Sequence, residues 1–296
     1  MGVWFKSGGG IDLAGGLYYS IGERDRDTEE EAMKAFCGKN IVLTGCNSGI
    51  GLSFLKLIAK DNKVLCVDVN VDRLREMAAR FDGLTVLQCD VSTREGVDRV
   101  FDEAEKTLGK IDLFYANAGY AYYEKYNYAD WNRIDAIFRC NCYSPFYSFS
   151  RYVASLKGAE GQFAVTASAI GKMAMPGYAL YSASKFAVEG FRQALKLECP
   201  PNVKVSVLYP IATDTGFFAF GSYGRSRKED RPFPVQSPDV VARKMLKAVA
   251  KGKHICNPSA LFSFFLQAVK FCPWLRTVYW KLETAKFRRY CKREQI

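Results

Sequence analysis

The sequence predicts an α/β fold, a doubly wound parallel sheet of about seven strands with helices on both faces. Three observations carry this. Short apolar runs alternate with longer helical patterns from Lys39 to about Pro258. Those runs are apolar on consecutive residues, which marks strands covered on both faces. The first run leads into a glycine-rich turn and a helix start, as the opening unit of such sheets does. A composition of 49% hydrophobic and 25% charged residues suits a globular chain. Its 296 residues suffice to bury a large core without disulfides.

The elements follow in order. Residues 1–38 read as an N-terminal extension, glycine-rich at first, with a short acidic helix over Asp27–Phe36. No apolar stretch follows a basic start, so no secretory signal is expected, and Lys6 stands where a myristoylation signal needs Ser or Thr. Strands are expected at Ile41–Thr44, Val64–Val67, Thr85–Cys89, Leu113–Ala116, Phe163–Ala167 and Val203–Leu208, with a last one at His254–Asn257. Helices are expected at Leu52–Lys60, Val71–Phe81 and Arg94–Leu108, as one long element across Asp130–Leu156, and at Ser182–Leu197. Residues 39–258 thus make the main domain. Residues 259–296 are a basic, amphipathic segment packed on or beside it.

Composition excludes several kinds of chemistry. His254 is the single histidine, so a His-rich metal site is excluded, and a Ser-His-Asp triad would depend on that one residue. Ten cysteines lack zinc spacing and read as buried free thiols; no metal is expected. The net charge is +11, but residues 270–296 hold eight basic and two acidic residues, a net +6. The remainder is only mildly basic, which argues against nucleic acid as a partner.

The run Ile41–Gly51 is a strand, a turn and a helix start, with glycines at 45, 49 and 51. Gly45 allows a tight turn, Gly49 lets backbone approach a pyrophosphate, and Gly51 lets helix and strand pack closely. The helix N-terminus, around Asn47, Ser48, Gly49 and Ile50, offers free N–H groups to an anion. Asp68 ends the second strand, 17 residues after Gly51. A carboxylate there accepts hydrogen bonds from ribose hydroxyls and repels a 2′-phosphate. With uncharged Ser48 this favours NAD(H) over NADP(H); Arg73 is the neighbour able to reverse the preference.

Tyr181 and Lys185 form a Tyr-x-x-x-Lys pair on one helix face, and Ser168 precedes Tyr181 by 13 residues. A nearby cation favours tyrosinate, drawing the tyrosine pKa from about 10 toward neutrality. Tyr181 is then a usable acid/base toward an alcohol oxygen, and Ser168, at a strand end, can steady that oxygen. Together with Gly45–Gly51, Asp90-Val91, Asn117-Ala118-Gly119, Asn141, and Pro210 with Thr213 and Thr215, these residues resemble the short-chain dehydrogenase/reductase family over roughly residues 39–215. Ile211 follows Pro210, where that family commonly has glycine. The resemblance implies a Rossmann-type fold and a catalytic set of Asn141, Ser168, Tyr181 and Lys185. It implies that Lys185 also holds the nicotinamide ribose and that Asn141 positions a water in a proton relay. It also implies that Asp90 and Val91 contact the adenine, that Asn117 and Gly119 meet the adenosine side, and that Pro210, Thr213 and Thr215 complete the cofactor site.

The segments after strands four, five and six are rich in aromatics and methionine. They supply Tyr122, Met173, Met175, Tyr178, Phe217, Phe218 and Phe220 as candidate lining of a wide apolar pocket. The expected substrate is a bulky lipophilic ketone or alcohol. A steroid is favoured, as in the hydroxysteroid dehydrogenases the family includes, and a long-chain keto-lipid or retinoid is the alternative. A non-enzymatic dinucleotide sensor would have lost part of the tetrad, and all four residues are present. Residues 259–282 are read either as a lid or subunit contact over that pocket, or as an element lying on an anionic membrane surface. A homodimer or homotetramer is implied by the resemblance. The expected place is the cytoplasm, with contact to a membrane surface left open.

Overall fold

The computed structural model describes residues 34, 36–215, 217 and 230–295. The helix expected over Asp27–Phe36 therefore lies largely outside the described residues, as do Phe218 and Phe220. Seven parallel strands form one sheet in the order β3-β2-β1-β4-β5-β6-β7. They are β1 (Asn40–Thr44), β2 (Lys63–Asp68), β3 (Leu84–Gln88), β4 (Leu113–Ala116), β5 (Gly161–Thr166), β6 (Val203–Leu208) and β7 (Ile255–Cys256). β1 pairs on one side with β2, Ile41 beside Val64, and on the other with β4, Ile41 beside Leu113. The strand order reverses there, and a crevice opens beyond the carboxyl ends of β1 and β4.

Side-chain alternation sends consecutive strand residues to opposite faces. Ile41, Leu43, Leu113 and Tyr115 pack on one face against α1 (Gly49–Ile58), α2 (Asp72–Ala78) and α7 (Pro238–Ala250). Val42, Phe114 and Phe163 pack on the other against α3 (Arg94–Thr107), α5 (Ser144–Ser155) and α6 (Ala179–Glu198). Phe101, Phe114 and Phe163 form a stack there, with centroids 5.1 and 5.7 Å apart. Both faces are covered, which is why the strands read as continuous apolar runs.

The long helix expected over Asp130–Leu156 is broken. α4 (Trp131–Phe138) passes into a π-helical turn, Arg139–Tyr143, before α5 begins. Pro145 sits in the first turn of α5, where a missing N–H costs little. The π-turn carries Asn141, and such turns concentrate at functional positions. A third apolar cluster lies at the carboxyl ends of the strands, around Tyr122, Tyr123, Met173, Met175, Tyr178 and Tyr181. It is roofed by α8 (Ala260–Phe271) and α9 (Trp274–Glu294), whose Phe262, Phe265, Tyr279 and Phe287 pack onto it.

Candidate active site

A cleft of about 1420 Å³ runs along the carboxyl edge of the sheet. One half is built by the β1–α1 turn. Gly45 has φ +65° and Gly49 has φ +56°, a region that L side chains rarely adopt. A Cβ at Gly45 would stand 2.7 Å from the Ala118 backbone, and one at Gly51 would stand 2.2 Å from the Gly45 carbonyl. Gly51 is therefore needed by the turn itself; it does not line the cleft. Thr44 Oγ1 accepts from the N–H groups of Asn117 and Ala118, both at 3.1 Å. Asn117 Nδ2 donates to the carbonyls of Thr44 and Gly45, at 3.2 and 2.9 Å. These bonds lock the turn to the end of β4.

Ser48 starts α1 without capping it through its side chain. The first N–H groups of the helix thus face the cleft as an anion-binding cradle. Asp68 stands at the cleft wall, its carboxylate accepting from the N–H of Asn47 at 2.9 Å and of Asn70 at 3.2 Å. Arg73 lines the same end, as do Asp90 and Val91. Asp90 caps its own turn by accepting from Ser92 N–H. Asn47, Ile50, Asn117, Gly119, Pro210, Thr213 and Thr215 also line the cleft. The cradle, the carboxylate and a volume of about 1420 Å³ fit a nicotinamide dinucleotide.

The other half holds the reacting groups. Ser168, Tyr181 and Lys185 all reach the cleft wall. Lys185 Nζ donates to the Thr166 carbonyl at 2.9 Å and lies 5.7 Å from the centroid of the Tyr181 ring. Ser168 Oγ accepts from Ile170 N–H at 3.2 Å, which leaves its own O–H free to donate. Burial pushes the Tyr181 hydroxyl up to about 12, and a hydrogen bond from Ser168 acts in the opposite direction. Burial pushes Lys185 down to about 8, opposed by the neighbouring Cys142 and Cys140. The Tyr-x-x-x-Lys spacing predicts a tyrosine drawn toward neutrality by the lysine; in the structure the loss of water around the phenol dominates, and Ser168 is the group that opposes it.

Asn141 sits behind the cleft wall, almost fully buried. Its Oδ1 accepts from Tyr120 N–H at 3.1 Å, and its Nδ2 donates to the Tyr120 carbonyl at 2.9 Å and to Ser184 Oγ at 3.1 Å. The π-turn aims this amide at the β4 loop and α6 together. Gly119 leaves the space beside it: a Cβ there would lie 2.9 Å from Asn141 Oδ1.

Of the candidate substrate residues, Met173, Met175 and Phe217 line the cleft, and the Phe217 ring is 5.6 Å from that of Tyr181. Tyr122 and Tyr178 do not. Tyr178 packs its ring 4.7 Å from Tyr123, and Tyr122 lies under the guanidinium of Arg133 at 3.6 Å. Both support the wall from behind, because aromatic content alone cannot tell which face of a loop turns inward. Sequence reasoning missed Thr166, whose carbonyl anchors Lys185. From the segment read as a lid, a subunit contact or a membrane-surface element, Phe262 and Tyr279 enter the cleft from α8 and α9. Tyr279 OH donates to the Phe233 carbonyl at 2.8 Å and Trp280 Nε1 to that of Ala174 at 2.8 Å, tying α9 across the apolar end.

The family model described as short chain dehydrogenase matches residues 39–222. The chain is 28% identical to a 3-ketodihydrosphingosine reductase of Bos taurus, covering 74% of this chain and 70% of the relative. It is 26% identical to a 17-beta-hydroxysteroid dehydrogenase 13 of Rattus norvegicus, covering 81% of each. Its fold matches a short-chain dehydrogenase/reductase from Burkholderia phymatum in complex with NAD (TM-score 0.69, 21% identity, 78% of this chain and 92% of that one). Solved neighbours of the same fold hold NADP-type cofactors as well. The chain belongs to the short-chain dehydrogenase family and is an oxidoreductase acting between CH–OH and C=O groups.

Proposed function

We propose that this enzyme uses NAD(H) to interconvert a hydroxyl and a ketone on a bulky lipophilic molecule, with a steroid as the favoured substrate. The single observation carrying the substrate class is the apolar end of the cleft, where Met173, Met175, Phe217, Phe233, Phe262 and Tyr279 surround the approach to Tyr181. Such a wall rewards burial of apolar surface and offers a carboxylate or phosphate no partner. When bound, the dinucleotide supplies or accepts the hydride. The α1 N-terminus would hold its pyrophosphate, Asp68 its adenosine ribose and Lys185 its nicotinamide ribose. In reduction Tyr181 gives its proton to the carbonyl oxygen, and Ser168 donates a hydrogen bond to that oxygen. In oxidation the same tyrosine takes the alcohol proton. Asn141 acts as a positioning residue that fixes the Tyr120 backbone beside Lys185. A homo-oligomer is part of the reading; the exposed Tyr143 and Phe186, on the side of α5 and α6, offer a surface for it.

The second reading, a long-chain keto-lipid substrate, is favoured by the similarity to the 3-ketodihydrosphingosine reductase above. One panel separates the readings. With NADH, ketosteroids are expected to turn over far faster than small polar ketones. Turnover confined to long-chain 3-keto lipids would select the second reading, and turnover confined to small polar ketones would overturn both.

Asp68 supports the preference for NAD(H). Asp68→Ala is expected to lower kcat/KM with NADH about 10- to 100-fold, the worth of a charge-assisted hydrogen bond. Use of NADPH is expected to rise as the repulsion is removed and Arg73 is left at that end of the cleft. A wild-type enzyme that already prefers NADPH would contradict this.

A further inference from the structure

Helices α8 and α9 present two unlike faces. Inward, Phe262 and Tyr279 line the cleft. Outward, Leu261, Phe264, Phe271, Trp274, Val278 and Leu282 are between 47% and 85% exposed. At 100° per residue, Leu261, Phe264 and Phe271 share one face of α8, and Trp274, Val278 and Leu282 share one face of α9. Exposed stripes of large apolar side chains on both helices mark an interaction surface.

The surrounding charge identifies the partner. Lys270, Arg276, Lys281, Arg288, Arg289 and Lys292 are exposed on the same two helices or at their ends. The two acidic residues of this stretch are already engaged: Glu283 is buried against Lys286 at 2.7 Å, and Glu294 pairs with Arg293 at 2.8 Å. The outer face is thus apolar with a one-signed basic border. A second copy of the same face would set cations against cations, whereas anionic headgroups complement them. Among the described residues no helix is long and apolar enough to cross a membrane. A surface element, lying in the plane of the headgroups, suits the pattern.

We propose that α8 and α9 dock the enzyme on the surface of an anionic phospholipid bilayer. The apolar side chains, Phe264, Phe271 and Trp274 foremost, enter the headgroup–acyl boundary, and the basic border meets the lipid phosphates. The inner face of the same helices walls the cleft, so a docked enzyme draws its substrate from the bilayer side. That last consequence rests on the lipophilic-substrate reading; the docking itself does not.

The test is sedimentation of the purified full-length protein with vesicles of phosphatidylcholine alone or mixed with phosphatidylserine. Binding is expected to the mixed vesicles, about 10-fold weaker to phosphatidylcholine alone, and weakened by salt. Phe264→Ser with Phe271→Ser, and separately Arg288→Glu with Arg289→Glu, are expected to reduce it about 10-fold or more. All four residues are exposed, so circular dichroism and NADH-binding fluorescence should match the wild type. Absence of binding to the mixed vesicles overturns the proposal. So does an oligomer in solution that the Phe264→Ser, Phe271→Ser protein loses, which would assign the face to a second copy.

Discussion

Tyr181→Phe is expected to lower kcat by about 10²–10⁴-fold in either direction, the range contributed by a positioned acid or base. That corresponds to about 3–5.5 kcal/mol of barrier. The substitution removes one oxygen and keeps the ring, whose contact with Phe217 and place in the third apolar cluster are unchanged. NADH affinity, followed by fluorescence titration, should therefore stay near the wild-type value. Full turnover in the variant would remove Tyr181 from the chemistry. Equal loss of turnover and of NADH binding would point to a damaged site instead.

The second large effect is a pH profile. In the free site Tyr181 sits at about 12 and Lys185 at about 8. The first proton to leave the pair therefore departs near pH 8. The singly deprotonated pair includes both neutral tyrosine with neutral lysine and tyrosinate with ammonium, in a fixed ratio. Only the second form can take a proton from an alcohol. Oxidation, measured as kcat/KM, is thus expected to rise about tenfold per unit below pH 8 and to level off above it. Reduction needs the fully protonated pair, so it should be level below pH 8 and fall above. Lys185→Met removes the group responsible. It is expected to cost about 10²-fold or more in kcat/KM at neutral pH and to erase the break near pH 8, so that oxidation climbs on through pH 10. A break that survives in the variant would belong to another group.

Much of this site was legible because its chemistry is tied to backbone events that leave marks in the sequence. The glycines at 45, 49 and 51 are needed where a Cβ has no room or φ is positive. Asp68 ends a strand whose apolar run announces where it stops. Tyr181 and Lys185 are four apart on an amphipathic helix. The π-turn was not legible: residues 139–143 contain neither glycine nor proline, and the apolar periodicity runs through them. Pro145, a restart signal in the first turn of α5, was the one clue present. Tyr122 and Tyr178 pack behind the cleft wall, and a non-repeating loop carries no periodicity to say which side chains turn inward. The reverse held for Phe262 and Tyr279. Their helical faces could be drawn, but the direction in which α8 and α9 fold back is a tertiary property. The balance of forces on Tyr181 was hidden for a related reason, since a motif names the neighbouring cation and not the loss of water.

The crevice owes its existence to β1, which reaches past the whole β2–β3 unit to pair with β4. Pairing across so long a stretch of chain is slow to find during folding, because the loop must close before any contact rewards it. The cradle at Gly45 and its anchor at Asn117 come from opposite sides of that seam, so no partly folded species owns the cofactor site. A ligand that binds the assembled seam in preference to the unfolded chain multiplies the folded-to-unfolded ratio by about 1 plus the free ligand concentration over Kd. Bound dinucleotide thereby acts as a stabiliser of the fold as well as a reactant.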